Sequence, residues 1–171
     1  MSEYRGAPRA TTTPFAPVPV ALVAATTKTV LQVNVPSGQD IRMIGWGVSF
    51  DGVSGTGVPV ICQLIEGDVA ASVGTSLTPD QWGNAIAPAS VCIGGAALTG
   101  YNFGTEGTMT AVRELDSQHV HPQSGYGVFW PEVRIQPKCG AAAAARFVRI
   151  RCTAPAGVNV LPWCLWAEPS I

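Results

Sequence analysis

The chain has 171 residues, a net charge of −1 and only 12% charged residues, against roughly a quarter in an ordinary soluble domain. That length suits one domain with a real core rather than two, and the near-neutral balance supplies no basic field to draw nucleic acid. With 47% hydrophobic residues and no charge between Asp80 and Glu106, much of the surface is expected to be covered by copies of the chain or by another protein, since free monomers rely on charged, patch-free surfaces.

Residues 1–19 hold four prolines and three consecutive threonines with no amphipathic period, which predicts an extended N-terminal arm ahead of a domain over 20–171. Thr29, Leu31, Val33 and Val35 then alternate with Lys28, Val30, Gln32 and Asn34 and predict a strand, closed by a Pro36–Asp40 turn. Ile44, Trp46, Val48 and Phe50 share one face of a second strand, and Gly45 and Gly47 on its other face leave room for a close approach. Val58, Val60, Cys62 and Leu64 predict a third, with Pro59 near its start. Residues 67–108 are rich in Gly, Ala, Ser and Thr and read as loops with one or two strands, Thr78–Gln81 starting a single helical turn. Strands are expected over Thr108–Glu114, Gly127–Trp130, Val133–Ile135 and Arg146–Thr153, with Ala141–Ala145 a loop. Val158–Ala167 is apolar on both faces and is expected to be central or covered. Eight to ten short strands without a helical period give an all-β fold, a single β-sandwich or jelly-roll-like domain.

Few residues suggest chemistry. His119 and His121 sit at i and i+2, where a strand would aim both imidazoles one way with Glu114 or Asp116 nearby. The preferred reading is two turn-region histidines beside Pro122, with no metal and no other cofactor. Five cysteines form no C-x-x-C pair and are expected to be reduced, which suits synthesis in a cytoplasm. Ser49 resembles a nucleophile elbow only loosely, and the glycine-rich Gly52–Gly57 stretch lacks the Gly-Lys-Ser/Thr of a P-loop. No enzyme is expected. The polar N-terminus has no leader-like apolar stretch, and no apolar run approaches the roughly 18 residues of a membrane span, so no membrane partner is expected. Trp46, Trp163 and Trp166 lie in alternating strands and suit core or interface; Trp82, in the uncharged region, is the residue expected to touch a ligand.

Four stretches, AATTKTVLQVNV (24–35), IGWGVSFDG (44–52), VHPQSGY (120–126) and RIRCTAPAGVNVLPWCLWAE (149–168), resemble a family of small β-sandwich proteins encoded among the head genes of tailed bacteriophages. They cover about a third of the chain and are strand-and-turn patterns. The resemblance implies a virion structural role on the capsid exterior: a decoration or minor capsid protein whose partners are the major capsid protein and itself, as a homotrimer, with the arm binding the shell. Tyr4, Arg5, Arg9 and Phe15 are the arm contacts expected. The alternative is a head or tail appendage that binds host glycans, with Trp82 in the site.

Overall fold

The computed structural model describes residues 1–9, 16–51, 57–72, 74–82, 89–141 and 143–169. The period-2 runs become strands: β1 (Ser2–Gly6), β2 (Val20–Leu22), β3 (Thr27–Val35), β4 (Asp40–Phe50), β5 (Val60–Gly67), β6 (Thr75–Ser76) and β7 (Asp80–Gln81). After these come β8 (Gly100–Tyr101), β9 (Val112–Val120), β10 (Gly125–Phe129), β11 (Lys138–Gly140), β12 (Arg146–Thr153) and β13 (Val158–Glu168). They form two antiparallel sheets in an all-β, sandwich-like domain. One runs β10-β4-β13-β1-β7, with β11 also on β4 and β2 also on β13; the other runs β6-β8-β3-β12-β5-β9.

Inward faces from both sheets make one apolar core, including Val33, Ile41, Trp46, Leu64, Ile150 and Trp166. β13 is central in its sheet, which accounts for apolar residues on both of its faces. Its two partners on one side leave a gap: β2 covers Val158–Val160 and β1 covers Cys164–Glu168. Pro162, which has no N–H to give a ladder, falls in that gap.

The second sheet has a covered outer face, built from the segment least legible in the sequence. Gln32 of β3 donates to Leu98 O at 2.6 Å and accepts from Ala71 N at 2.8 Å. Thr99 Oγ1 accepts from Asn34 N at 3.0 Å. Arg149 of β12, directly opposite Gln32 in the register, donates to Glu106 O at 2.7 Å with its side chain fully buried. The polar half of each alternating pattern thus meets a second layer of chain rather than water.

Several expectations need correction. Ser2–Gly6, expected within the extended arm, is an internal strand between β13 and β7, so sandwich strands begin at Ser2 rather than Val20. Tyr4 carries this, since its ring is 1% exposed and stacks on Trp166 with centroids 6.3 Å apart. Thr78–Gln81 makes no helical turn, because Asp80 and Gln81 pair with Arg5 and Tyr4 as β7. Val133–Ile135 is a turn closed by Ile135 N to Glu132 O at 2.9 Å, and β9 runs from Val112 to Val120 instead of 108–114. Phe15, residues 52–56 of the glycine-rich connection and Ala142 lie outside the described residues.

Candidate binding groove

Alternation along β1 sends Tyr4 into the core and Arg5 outward. On β13 it sends Cys164 and Trp166 inward and leaves Leu161 and Trp163 half-buried on the outer face. Close strand approach requires glycine beneath Trp163. A Cβ on Gly47 would stand 2.5 Å from Trp163 Nε1 and 2.5 Å from Tyr126 O, and one on Gly127 3.1 Å from Trp163 Cζ2. The indole therefore lies flat over two bare backbones, stacked on Phe129 with centroids 5.0 Å apart and planes at 29°. The space anticipated opposite Trp46 and Val48 is used by this ring.

Arg5 leans over Trp82, its guanidinium carbon 5.4 Å from the ring centroid, while Trp82 N donates to Glu3 O at 2.8 Å and extends the β1–β7 pairing. Arg9 and Asp80 form an ion pair beside them. A bridge between Arg9 and Pro17, with Val18 N donating to Pro8 O at 3.2 Å, folds the N-terminal segment back along the gap next to Pro162. The result is a groove of about 370 Å³ lined by Arg5, Arg9, Asp80, Trp82, Leu161 and Trp163 among others. An adjoining concavity of about 200 Å³ shares Arg5, Trp82 and Trp163 and adds Phe129 and Leu165. Trp82 is 56% exposed and Phe129 60%, so two large rings remain open to solvent.

Three of the five residues singled out in the sequence, Arg5, Arg9 and Trp82, thus converge on one groove. Tyr4 does not join them, being a core residue. The sequence pattern does not mark Trp163 and Phe129 as site residues; the signal available is the glycine at 45, 47 and 127, which shows where something large must lie close. The two histidines do not form a pair on one strand face: His119 is in β9, whereas His121 is in the following turn, its Nδ1 accepting from Gln123 N at 3.2 Å. Among the described residues no group of three His, Cys, Asp or Glu side chains is placed to hold a metal ion.

The thiols carry no mark of activation. All five are free and buried. Burial and the nearby Glu168 carboxylate raise the Cys92 thiol far above its ordinary value, and burial pushes Cys164 up to about 12. Cys62 and Cys152, opposite one another on β5 and β12, have sulfurs 3.7 Å apart in the core.

The opposite end of the first sheet is an open edge. β10 pairs only with β4 among the described residues, and its sequence GYGVF has no charge. β9, which ends the second sheet, carries Arg113, Glu114, Asp116 and His119. Beyond β10 the turn exposes Val133 at 51% and Ile135 at 50%. No family model, curated protein or solved structure matches this chain.

Proposed function

We propose that this chain is a virion structural protein, a non-enzymatic decoration or minor capsid protein that binds the outer surface of a tailed-phage head as a homo-oligomer. The observation that supports it best is the uncharged β10 edge continuing into the exposed Val133–Ile135 turn. Exposed edge strands template pairing with other chains, and free proteins guard them with charge, proline or a bulge. β9 has that charge and β10 has none, so β10 and the exposed Val133 and Ile135, which share their turn with the self-paired Glu132 and Arg134, are read as the face that meets the shell or a sister subunit. The low overall charge fits burial of such a face in a symmetric assembly.

With Ser2–Gly6 built into the sheet as β1, the docking face is read at this edge rather than at those residues of the extended arm. The test is light scattering of the purified protein, alone and with undecorated heads of the encoding phage. A defined oligomer that saturates the heads at a fixed copy number supports the reading. A monomer that leaves the heads undecorated at micromolar concentration overturns it.

A further inference from the structure

The groove at the β1–β7 end meets the β10 edge only at Phe129, which lines the adjoining concavity and stacks on Trp163, and the proposed docking face makes no use of Arg5 or Trp82. We propose that it is a binding site for a saccharide bearing a carboxylate, such as a hexuronate unit of a surface polysaccharide. Four observations carry this. First, Trp82 stands 56% exposed beside Trp163, which the bare backbones of Gly47 and Gly127 hold flat. Indole faces of this kind pack against the C–H face of a sugar ring while leaving its hydroxyls free. Second, the Arg9–Asp80 pair lies at the same groove, supplying fixed donors and acceptors for hydroxyl groups.

Third, Arg5 lines both concavities, and among the described residues no carboxylate lies within ion-pair distance of it. Its guanidinium rests on the Trp82 ring. A guanidinium held on an aromatic platform, with its donors uncommitted to a carboxylate, suits planar, bidentate recognition of one. Fourth, the groove of about 370 Å³ falls in the size range of small-molecule sites. A peptide adding as a strand is the poorer occupant, because β7 offers an edge of only two residues.

The test titrates the full chain with a glucuronate-containing disaccharide and with its neutral glucose counterpart, following tryptophan fluorescence and calorimetry. Saturable binding of the acidic sugar is expected in the millimolar range or tighter. Trp82→Ala abolishes binding of both sugars. Arg5→Gln weakens the acidic sugar by about tenfold and leaves the neutral one within about twofold, the difference expected of one charge-assisted contact. Thermal melts of both variants check that the fold is retained, and Trp82, being exposed, keeps the test readable if Arg5→Gln does not fold. No saturable signal up to about 20 mM overturns the proposal. So does preference for a polyglutamate peptide over the sugar, which makes the groove a peptide site. Because heads are absent from these titrations, failure here leaves the capsid reading standing, and failure of that reading leaves this one.

Discussion

Asp116 of β9 accepts a hydrogen bond from Trp46 Nε1 of β4 at 3.0 Å, joining the two sheets at the open side of the sandwich. The same oxygen accepts from the Tyr126 hydroxyl of β10 at 2.7 Å, and Asp116 Oδ1 accepts from Gln118 Nε2 at 3.0 Å. One carboxylate thus fixes the position of the β10 edge relative to the second sheet. Asp116→Ala leaves the buried indole N–H without its acceptor and should cost about 1–3 kcal/mol, read as a lower midpoint in urea denaturation.

The Tyr126–Asp116 contact sets an alkaline limit. Burial, then the bond to Asp116 and its charge, push the Tyr126 hydroxyl from 10.0 up to about 12. Below pH 10 both folded and unfolded chains keep this proton, and the stabilising effect is fully present. Between pH 10 and 12 the unfolded chain gives it up first, so stability falls as pH rises through that window. Absorbance titration at the phenolate band should show Tyr126 ionising late, alongside the core Tyr4, whose hydroxyl burial also raises, and Asp116→Asn should bring the Tyr126 step alone part of the way back. Part of the shift should remain, since burial is the larger cause.

Arg149 is the fully buried cation of the second sheet, and Glu106 answers it at 3.6 Å while also accepting from Thr29 Oγ1 at 2.8 Å. Burial lowers the Arg149 pKa, and the Glu106 charge opposes that fall. Glu106→Ala removes the counter-charge and should destabilise the fold by about 3–5 kcal/mol, the range for breaking a buried pair. Replacing both, as Glu106→Leu with Arg149→Met, should recover much of that loss in a double-mutant cycle.

How far the sequence disclosed this arrangement depends on where each residue finds its partner. Arg146–Thr153 is β12 to the residue, because its core face alternates strictly. The cover contributed by Ala71, Leu98, Thr99 and Glu106 is illegible in the sequence, since its bonds run from loop backbone to Gln32 and from loop side chains to Asn34 and Thr29, partners far off along the chain with no local period. β1 reads as arm because two core residues in five, Tyr4 and Gly6, give no hydrophobic pattern; its strand character comes from β13. Trp82 stands out as a large ring in an uncharged stretch, but its meeting with Arg5 needs the β1–β7 pairing.

Because Tyr4 packs on Trp166 inside the core, Tyr4→Ala should cost about 4 kcal/mol, a fall in Tm of roughly 10 °C for a chain of this size. Removal of residues 1–7 should prevent cooperative folding altogether, as seen by loss of the thermal transition in circular dichroism. A truncated chain that melts like the full one contradicts the assignment of β1 to the sandwich.

Gly47 has no room for a side chain. Gly47→Ala would put a methyl 2.5 Å from a backbone oxygen as well as from the Trp163 ring, and overpacking of that kind costs about 1–3 kcal/mol. Trp163 should be displaced from its stack on Phe129, visible as a change in near-ultraviolet circular dichroism.

Val133 and Ile135 are exposed, so Val133→Glu with Ile135→Glu should change stability by no more than about 0.5 kcal/mol per site. If this turn docks on the shell, the double variant nonetheless fails to decorate heads, because it brings unpaired charge into the docking face.

Electron cryomicroscopy of heads incubated with the protein tests the central claim most directly. The predicted result is density for this sandwich on the outer surface at fixed symmetry positions, with β10 and residues 133–135 buried against the shell or a sister copy. Heads without such density, or a bound chain with the β10 edge open to solvent, would contradict it.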